Sequence, residues 1–538
     1  MQRAELTLSA LLDARSAGSE GRAGGAPMLI DRGRAIGFAE LAAESRRIAT
    51  AFAQLGIGRE DRVALWLPNV SAWLSCFFAC AQLGAIAVSV NTRFRAHEVA
   101  DIVGRSGARL LVYWPGFKGI DFSSILAEAA DTAPSALGAI VALVAYGEDA
   151  APAPRTVAGK PVLPFGALTA GSPRERDDAA PDAGCILFTT SGTTRAPKFV
   201  LLDQRAVVAH AHDVAQGFGL DAEAAMLLVP PLCGVFGFCC AMGALAAGRP
   251  LVMRPAWDPV QAAADIVAHR VTHANATDEA IVQLLAQRAT QPAFPSLRFV
   301  GYAAFNPALD DIVERAEQRG LALVGLYGAS EVQALFARQD EHAPLAERRL
   351  AGGRPVNAAA RVRARDPESG RILPHGEAGE LEFFAPDSRM VGYFGDAEAT
   401  RAALSEDGYY RSGDLGYTTA DGRFVFLTRM GDALRLGGFL VSPLEIEAVV
   451  QEAPGIAACQ VVGVPGAAGR VPVAFVILAP GAVLDEAALR AQVAARLAKF
   501  KVPQRIFAID AFPVTPGANA TKIQKGKLRA MAQALLAS

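Results

Sequence analysis

The chain has 538 residues, 52% of them hydrophobic and 20% charged, so it is long enough for several domains and apolar enough for a large core. Its 52 basic and 54 acidic residues almost cancel, which excludes the broad positive charge of proteins that bind nucleic acids or anionic membranes. The seven cysteines show neither zinc-type pairs nor secretory spacing, which indicates reduced thiols in a cytoplasmic protein.

The N-terminal part of the chain alternates helical and strand patterns. An amphipathic run through Leu41, Ile48 and Leu55 predicts a helix, and apolar segments at 63–67 and 85–90 predict strands on either side of a second helix. Such alternation is typical of βαβ units, so we expect a mainly parallel sheet. The Ala-, Pro- and Gly-rich residues 145–183 are expected to form a surface excursion between two sheet systems.

Residues 224–248 carry no charge and are numerous enough to cross a bilayer. Pro230, Pro231 and several glycines interrupt the stretch, so we expect a strand, a loop and a buried helix instead of a membrane span. The first 15 residues are too acidic, and their apolar patch is too short, for a signal peptide. These patterns favour a cytoplasmic protein without integral membrane association.

The character of the chain changes after Arg354. Short strands separated by turns predict a distorted antiparallel β subdomain. Beyond Gly431, helices and strands mix again over a length sufficient for a small separate domain. We therefore predict an α/β fold with a large N-terminal domain of mixed, mainly parallel sheets with helices, an antiparallel β subdomain, and a small C-terminal α+β domain.

The segment 186–199 reads Ile-Leu-Phe-Thr-Thr-Ser-Gly-Thr-Thr-Arg-Ala-Pro-Lys-Phe. An apolar strand pattern leads into hydroxyl residues around Gly192, followed by Pro197 and Lys198. Such a loop can bind a polyphosphate, because glycine allows close backbone approach while N–H groups, hydroxyls and a lysine donate hydrogen bonds. The alternative is a solvent loop whose Ser and Thr side chains cap turns, and the segment alone leaves both interpretations open.

Five further segments follow in a fixed order. They are Leu-Tyr-Gly-Ala-Ser-Glu at 326–331, Gly-Glu-Leu at 379–381 with Gly-Tyr at 392–393, Gly-Tyr-Tyr-Arg-Ser-Gly-Asp-Leu at 408–415, Thr-Arg-Met-Gly-Asp at 428–432 with the Gly-Gly motif at 437–447, and Phe-Pro-Val-Thr-Pro at 512–516 with Thr-Lys-Ile-Gln-Lys at 521–525. Together with the 186–199 loop they resemble the acyl-adenylate-forming superfamily of acyl-CoA synthetases, peptide-synthetase adenylation domains and luciferases. The resemblance runs from about Phe38 to the C-terminus and keeps the order and spacing of the family's motifs.

The resemblance implies a nucleotide and magnesium site. Glu331 matches the family's Mg²⁺-associated glutamate, and Asp414 matches the carboxylate that accepts both ribose hydroxyls. Tyr327 would stack near the adenine, Arg429 would contact the ribose or phosphate, and Lys522 would reach the substrate carboxylate and the α-phosphate during adenylation. The implied ATP/AMP-binding residues are Thr190, Ser191, Gly192, Thr193, Thr194, Lys198, Tyr327, Gly328, Ser330, Glu331, Asp414, Arg429 and Lys522, with Lys522, Glu331 and Thr190 as the catalytic ones.

Members of this family rotate their C-terminal domain between two half-reactions, and the aligned hinge position here is Gly431. The resemblance thus implies an adenylation domain over 1–428 that holds the acid and ATP, a hinge at 429–431, and a small mobile domain over 432–538 that carries the adenylation lysine. Gly437 and Gly438 would line the channel for coenzyme A. Lys525, close to Lys522, is expected to be an ordinary surface charge.

The acyl pocket implied by the resemblance contains Phe236, Gly301, Ala303 and Gly325, which are small and apolar apart from the phenylalanine. Relatives that activate amino acids usually carry an aspartate beside this phenylalanine to pair with the α-amino group, whereas Gly237 follows it here. We therefore expect an acid without an α-ammonium group, of the fatty, cyclic or aryl class, with acetate disfavoured.

The sequence departs from the family pattern at several places. Arg195 and Phe199 replace glycines of the phosphate loop, Ser330 replaces a common threonine, and Gly234 stands where a histidine or aromatic residue is usual. The usual Thr-Gly-Lys becomes Asn-Ala-Thr-Lys at 519–522. Loss of the ring at 234 should enlarge the space near the reacting carboxylate, and Arg195 would add positive charge beside the pyrophosphate.

The motifs predict a ligase that uses ATP, Mg²⁺ and coenzyme A to convert a small-molecule carboxylic acid into acyl-AMP and then acyl-CoA. Catalysis would rest on electrostatic stabilisation and positioning, without a covalent enzyme nucleophile. Two alternatives stay open: acyl transfer to the phosphopantetheine of a carrier protein, and a nucleotide-binding homologue that has lost the chemistry. No nucleic acid partner is expected, and a homodimer is one candidate assembly.

Overall fold

The computed structural model describes residues 7–19, 28–147, 155–190, 197–305, 309, 311–436, 439–466, 469–497, 499–516 and 521–537. The side chain of Lys522 is outside this description. Within these ranges, no helix is both long enough and apolar enough to cross a membrane.

Helices occur along the whole described chain, with short 3₁₀ turns at Phe117–Gly119, Ser330–Val332 and Lys499–Lys501. In chain order the helices are α1 (Leu8–Ser19), α2 (Phe38–Gln54), α3 (Ser71–Gln82), α4 (Ala96–Ser106), α5 (Phe122–Thr132), α6 (Phe165–Thr169), α7 (Gln204–Gly217), α8 (Val235–Ala247), α9 (Pro259–Ala268), α10 (Asp278–Leu285), α11 (Ile312–Glu317), α12 (Leu345–Arg348), α13 (Ala397–Ala403), α14 (Pro443–Gln451), α15 (Glu486–Arg496) and α16 (Lys525–Ala537).

The strands are mostly short. In chain order they are β1 (Leu29–Asp31), β2 (Arg34–Ile36), β3 (Arg62–Trp66), β4 (Ile86–Ser89), β5 (Leu110–Tyr113), β6 (Ala142–Ala145), β7 (Thr156–Val157), β8 (Lys160–Pro164), β9 (Gly184–Thr189), β10 (Phe199–Asp203), β11 (Met226–Leu228), β12 (Leu251–Met253), β13 (His273–Thr277), β14 (Phe299–Ala303), β15 (Leu323–Ala329), β16 (Gln333–Arg338), β17 (Gly352–Pro355), β18 (Arg361–Arg365), β19 (Gly379–Phe384), β20 (Gly392–Tyr393), β21 (Tyr410–Thr418), β22 (Phe424–Arg429), β23 (Leu434–Leu436), β24 (Phe439–Val441), β25 (Ile456–Gly466), β26 (Gly469–Leu478), β27 (Arg505–Ala508), β28 (Val514–Pro516) and β29 (Thr521–Ile523).

Two large sheets stack with helices between them and on both outer faces. One has nine strands in the order β20-β10-β9-β4-β3-β5-β6-β8-β7, and the other has thirteen in the order β18-β19-β21-β22-β17-β16-β15-β14-β13-β11-β12-β1-β2. Helices α2, α3, α7 and α8 pack between the sheets. Helices α4 and α5 cover the outer face of the nine-stranded sheet, and α9, α10 and α11 cover that of the other. The parallel part of each large sheet is therefore covered by helices on both faces.

The middle of each large sheet is parallel. Strands β1, β12, β11, β13, β14 and β15 run parallel, as do β9, β4, β3, β5, β6 and β8. From β16 onward the neighbours are antiparallel, with register shifts in β15, β19 and β21. The predicted mixed, mainly parallel α/β class is confirmed, and the antiparallel part continues the thirteen-stranded sheet.

Strands β23 to β29, as far as the described residues show, share no sheet with the strands before them. Strands β25, β26 and β27 form a three-stranded sheet with α14 and α15 on one face and α16 on the other. The pairs β23–β24 and β28–β29 are separate antiparallel hairpins. This part has the expected α+β character, while the exact domain boundaries stay a prediction.

Local predictions agree with the structure where the sequence pattern is strong. Residues 224–248 form β11, a turn and the buried helix α8, as expected. Residues 145–183 do not all match the prediction, because β8 within them pairs in parallel with β6 and extends the nine-stranded sheet. The expected surface excursion is therefore wrong at Lys160–Pro164, where two prolines and a single β-branched residue conceal the strand.

An aromatic cluster joins the helices between the sheets to the strand that leads into the hydroxyl-rich loop. The ring of Phe238 on α8 lies 6.1 Å from Trp73 and 5.1 Å from Phe77, both on α3. It also lies 5.3 Å from Phe188 on β9. All four rings are buried, so the cluster fixes β9 against the central helices.

Replacing Phe238 with alanine should lower the free energy of unfolding by about 3–5 kcal/mol, because the change removes a fully buried ring and leaves a cavity. Urea unfolding followed by circular dichroism measures this. Val267 on α9 is 51% exposed and provides the control, since Val267→Ala should change the free energy by less than about 0.5 kcal/mol. Equal losses in the two variants would contradict the importance of the cluster.

Candidate active site

The two large sheets meet at the short strand β20. Tyr393 of β20 pairs with Val200 of β10 in the nine-stranded sheet. Just before β20, the Met390 N–H donates to the Glu331 carbonyl, at 2.7 Å, directly after β15 of the thirteen-stranded sheet. The carboxyl ends of parallel strands are the usual ligand sites of α/β sheets. This junction is therefore the candidate active site.

The hydroxyl-rich loop leaves β9 at Thr190 and returns at Lys198. The Thr190 N–H donates to the Lys198 carbonyl at 2.9 Å, and the Lys198 N–H donates to Thr190 Oγ1 at 3.3 Å. These two hydrogen bonds close the neck of the loop. The residues between them that were predicted to bind phosphate or to add charge lie outside the described residues: Ser191, Gly192, Thr193, Thr194 and Arg195.

Phe199, one of the departures from the family pattern, is buried at the start of β10. The guanidinium of Arg105 lies 4.5 Å from the centroid of its ring. Arg105 Nη2 also donates to the Pro197 carbonyl at 2.8 Å. The aromatic ring thus fixes the returning end of the loop through a contact that a glycine could not make.

Glu331 lies in the 3₁₀ turn after β15, and its side chain is buried. Its Oε1 accepts a hydrogen bond from the Tyr393 hydroxyl at 2.8 Å. Lys198 Nζ lies 4.5 Å from the centroid of the same tyrosine ring. Tyr393 therefore links the predicted metal-binding carboxylate to the lysine at the loop neck. The sequence shows Tyr393 only as part of a Gly-Tyr motif and assigns it no role.

Asp414 on β21 is 2% exposed and lies opposite Arg429 on β22. Its Oδ2 accepts a hydrogen bond from Tyr327 Oη at 2.5 Å. Its Oδ1 lies 3.0 Å from Arg429 Nη1, but this ion pair lacks hydrogen-bond alignment, and Oδ1 accepts no hydrogen bond from the described residues. One acceptor oxygen is therefore left for a ligand that donates.

The pKa of Asp414 is raised to about 6, chiefly because burial penalises the carboxylate. The charge of Arg429 and the hydrogen bond from Tyr327 oppose this shift, and the charges of Glu331 and Glu380 add to it. Asp414 is consequently mainly a carboxylate at neutral pH and becomes protonated as the pH falls through about 6.

Three tyrosines surround the two carboxylates. Tyr410 is buried near Tyr327 and Tyr393, and its pKa is raised by burial and then by the charge of Glu331. Burial, reinforced by a neighbouring carboxylate, also raises the pKa of Tyr327 and of Tyr393. All three phenols stay protonated at neutral pH, so they are available as hydrogen-bond donors.

Tyr327 was predicted to stack near the adenine, but its ring already packs against other aromatic side chains of the protein. The ring stacks on Phe383 with centroids 5.0 Å apart, and Phe424 lies edge-on at 5.1 Å. Its hydroxyl is the part that reaches Asp414. Gly328, the next residue, lies where a side chain would collide with the backbone of Ala334. The side chain of Ser330 is half-exposed.

The four residues predicted for the acyl pocket do not share one face of the sheet. Gly301 pairs with Asn275 and Val324, whereas Gly325 pairs with Tyr302. Because side chains alternate between the faces of a sheet, Gly325 faces away from Gly301, toward the carbonyl of residue 350.

Leu326 lies on the same face as Gly301, Ala303 and the helix α8, whose first turn carries Phe236. The side chain of Leu326 and the amide of Asn275 occupy the space that a side chain at Gly301 would need. Sequence reasoning missed both residues, since the faces follow from a pairing register that the motifs do not encode.

The predicted C-terminal site residues are only partly described. Gly437 and Gly438 lie outside the described residues. Lys522 lies on β29, where its backbone pairs with Thr515. Gly431 follows β22 in open space.

Arg529 on α16 contacts the chain at the predicted hinge. Its Nη2 donates to the Gly431 carbonyl at 2.8 Å, and the same atom lies 3.2 Å from Asp432 Oδ1. The last helix of the C-terminal part is thereby bonded to the segment that follows β22.

Lys525, expected as an ordinary surface charge, is instead largely buried. Its Nζ lies 3.4 Å from Oε1 of Glu447, a buried residue of α14. Burial raises the pKa of Glu447, while the charge of Lys525 lowers it. The pair fixes the start of α16 three residues after Lys522, so the expectation for Lys525 is wrong.

The described residues contain no cluster of three or more His, Cys, Asp or Glu side chains that could hold a metal ion. A single carboxylate such as Glu331 suits Mg²⁺ that travels with a nucleotide, because Mg²⁺ takes its other ligands from phosphate oxygens and water. Oδ1 of Asp414, which lies beside Arg429 but accepts no hydrogen bond from the described residues, likewise suits a ribose hydroxyl. The residues present therefore fit a magnesium nucleotide.

Comparisons with known proteins agree with this chemistry. A feruloyl-CoA synthase of an Amycolatopsis species is 32% identical over 502 residues, covering 92% of this chain and 94% of that protein. The fatty acid–acyl-carrier-protein ligase ScoC of Streptomyces coeruleorubidus is 30% identical over 522 residues, covering 94% and 93%. The crystal structure of ATP-bound MatB from Rhodopseudomonas palustris has the same fold, with a TM-score of 0.81 at 23% identity over 98% of this chain and 100% of that one.

Two family models match the chain. That of the AMP-binding enzymes matches residues 17–394, and that of the AMP-binding enzyme C-terminal domain matches residues 445–518. The first match alone spans more than half of the chain and contains the loop neck, Glu331 and Tyr393. The chain therefore belongs to the AMP-binding enzyme family, the acyl-adenylate-forming superfamily that its motifs resemble.

Proposed function

We propose that this protein is an ATP-dependent carboxylic acid:CoA ligase that forms an acyl-AMP and then an acyl-CoA. The observation that carries the proposal is the junction at β20, where the buried carboxylates of Glu331 and Asp414 converge in a member of the AMP-binding family. The full-length similarity to a feruloyl-CoA synthase supports coenzyme A as the acceptor.

In the first half-reaction a substrate carboxylate oxygen attacks the α-phosphorus of ATP, and pyrophosphate leaves. Asp414 accepts a ribose hydroxyl through Oδ1, and Arg429 beside it favours the carboxylate form. Lys198 and Lys522 offset negative charge on the phosphates and the attacking carboxylate. Bound Mg²⁺ would add charge neutralisation on the leaving pyrophosphate, with Glu331 as its protein ligand. The backbone and hydroxyls of Thr190, Ser191, Gly192, Thr193 and Thr194 supply further donors, as do Gly328 and Ser330 near the nucleotide.

In the second half-reaction the coenzyme A sulfur forms a thioester bond to the acyl carbon, the bond from that carbon to AMP breaks, and the thiol proton leaves to solvent. We assign the thiol channel to Gly437 and Gly438, and the rotation that opens it to Gly431. Hinge positions absorb large backbone changes, and glycine does so with the least steric restriction.

The substrate class that we propose is a fatty, cyclic or aryl acid, held between Phe236, Ala303 and the backbone of Gly301. The relative that acts on feruloyl groups favours the aryl class. A carrier-protein phosphopantetheine is a second candidate acceptor, because ScoC is a carrier-protein ligase of similar identity and coverage. The use of free ATP and coenzyme A favours the cytoplasm as the site of action.

The direct test is pyrophosphate release across a panel of aryl, cyclic and fatty acids, with coenzyme A or a phosphopantetheinylated carrier protein as acceptor, run beside Lys522→Ala. The parent enzyme should release pyrophosphate with at least one acid and form its CoA thioester. Lys522→Ala should slow adenylation by about 100- to 1000-fold, because it removes a cation from the transition state.

Lys527→Ala is the matched control, since Lys527 is an exposed lysine on α16, close to Lys522 in sequence. It should adenylate as fast as the parent. Equal rates for Lys522→Ala and the parent would refute the role of Lys522. Nucleotide binding without pyrophosphate release for any acid would instead support the non-catalytic homologue.

Binding of adenosine should weaken as the pH falls through about 6, because the pKa of Asp414 is raised to about 6 and the ribose needs the carboxylate form. Below this pH, Asp414 must release a proton before adenosine can bind. The affinity for adenosine should therefore fall by up to about tenfold for each unit by which the pH is lowered. Isothermal titration between pH 5 and 8 measures this, and adenosine avoids phosphate titration. Asp414→Asn should bind weakly at every pH, and a pH dependence that survives in this variant would contradict the assignment.

Tyr393→Phe should raise the Mg²⁺ concentration needed for half-maximal pyrophosphate release by about tenfold, because Glu331 loses its phenolic donor and a hydrogen bond to a charged group contributes about 1.5–3 kcal/mol. Tyr113→Phe removes another buried hydroxyl, which lies 3.1 Å from Ser123 Oγ on the outer side of β5, and should leave the Mg²⁺ dependence unchanged. An unshifted midpoint in Tyr393→Phe would show that Tyr393 does not orient Glu331.

A further inference from the structure

Gln333 begins β16, two residues after Glu331, with an unusual backbone conformation. Its φ is 64° and its ψ is 150°, a combination that residues other than glycine rarely adopt. Leu335, two residues further along, also has a positive φ, of 62°. Both side chains are buried. The chain thus keeps a strained backbone directly beside the turn that carries Glu331.

The side-chain amide of Gln333 explains why glycine does not stand at this position. Glycine would adopt the same conformation without strain, but it has no side chain to donate hydrogen bonds. Nε2 of Gln333 donates to the Ala206 carbonyl on α7 at 2.9 Å and to the Ser388 carbonyl at 3.1 Å. Gln333 is 1% exposed, so both bonds are shielded from water. The amide therefore holds the start of β16 to two other segments.

One of these segments carries the partners of Glu331. Two residues after Ser388, the Met390 N–H donates to the Glu331 carbonyl at 2.7 Å. Tyr393 of β20 then donates to Glu331 Oε1 at 2.8 Å. The bond from Gln333 to Ser388 is a third contact between the turn and this segment. Together the three bonds restrain both the backbone and the carboxylate of Glu331.

Other contacts restrain the residue that follows Gln333. His210 Nε2 on α7 is hydrogen-bonded to the Ala334 carbonyl, at 2.6 Å. The backbone of Ala334 also occupies the space that a side chain at Gly328 would need. Strained backbone persists where the surroundings over-determine it, and such places concentrate at functional sites. The stretch that begins at Gln333 meets this condition.

We propose that Gln333 is a positioning residue for Glu331, and that its amide holds the strained backbone so that the Glu331 carboxylate keeps the orientation in which it serves as a ligand of Mg²⁺. This inference rests on the proposed function and deepens it, because it names a residue that acts on the metal ligand through the backbone. Without the two hydrogen bonds, the backbone at 333 relaxes and the carboxylate is no longer preorganised. Loss of a partner that orients a metal ligand typically lowers metal affinity by about 10- to 100-fold.

The test measures ATP binding without any acid, by isothermal titration in excess Mg²⁺ and again in EDTA. The dissociation constant in EDTA divided by that in Mg²⁺ gives the Mg²⁺ enhancement of binding. Gln333→Met keeps the length of the side chain but removes both donors. The enhancement should therefore fall by about tenfold, while the dissociation constant in EDTA stays that of the parent.

Two further variants separate positioning from folding. Gln333→Gly relieves the strain, so it favours the folded chain, but it lacks the amide and should lose the Mg²⁺ enhancement as Gln333→Met does. Gln339→Met is the matched control, because Gln339 is equally buried and its Nε2 donates to the Leu350 carbonyl at 3.3 Å. It should keep the enhancement of the parent.

A double variant shows whether the effect passes through Glu331. In the Glu331→Gln background, Gln333→Met should cause no further loss of the Mg²⁺ enhancement, because both changes act on the same carboxylate. A further loss there would overturn the inference. Parent-like enhancement in both Gln333 variants would also overturn it, as would equal weakening of ATP binding in Mg²⁺ and in EDTA.

Failure of the proposed function has a different signature. If Mg²⁺ does not strengthen ATP binding by the parent, the role of Glu331 itself is refuted and the inference falls with it. If the enhancement is present and depends on Gln333, but no acid supports pyrophosphate release, the proposed ligase activity fails while the positioning role stands.

Discussion

Burial of two carboxylates around one tyrosine cluster constrains the rest of this structure. A carboxylate removed from water must be hydrogen-bonded or paired with a cation. Glu331 receives its bond from Tyr393 on β20, while Asp414 receives a bond from Tyr327 on β15 and lies beside Arg429 on β22. The hydrogen bond from Tyr393 to Glu331 joins the two large sheets, whereas Tyr327, Asp414 and Arg429 all belong to the thirteen-stranded sheet. A strand of only two residues, β20, thus helps to set how the loop neck at Thr190 and Lys198 faces the turn that carries Glu331.

Features that depend on local periodicity or on motif order were predictable from the sequence. The alternation of helices and strands, the buried helix α8 and the family assignment belong to this group. The faces of β14 and β15 were not predictable, because they depend on a pairing register between strands, and a shift of one residue exchanges the faces. Gly325 and Leu326 illustrate this, because Leu326 lies on the same face as Gly301 whereas Gly325 lies on the opposite face. Tyr393 and Asn275 were missed for a related reason, since their partners are distant in sequence.

Two departures from the family pattern acquire structural explanations. Phe199 is a buried anchor under Arg105, so the loop neck gains a packing contact in place of a glycine. Gly234 is the N-cap residue of α8, with an extended backbone and an N–H that donates to the Pro231 carbonyl at 3.0 Å. Glycine is accepted at that position of a helix.

The contacts of Arg529 have a consequence for the energetics of domain movement. A backbone rotation at Gly431 would redirect the carbonyl that accepts the hydrogen bond from Arg529, whereas Asp432 lies on the same side of the predicted hinge as Arg529 and would move with it. The side chains of Arg529 and Asp432 are about one-third exposed, so water screens these contacts, and their net contribution is about 0.2–1 kcal/mol, a bias of a few-fold at most in a two-state equilibrium. If the chain turns at Gly431 as proposed, α16 would favour the state in which this hydrogen bond is kept. Gly431 has no side chain to favour one state, so a residue almost one hundred positions away would bias the resting population.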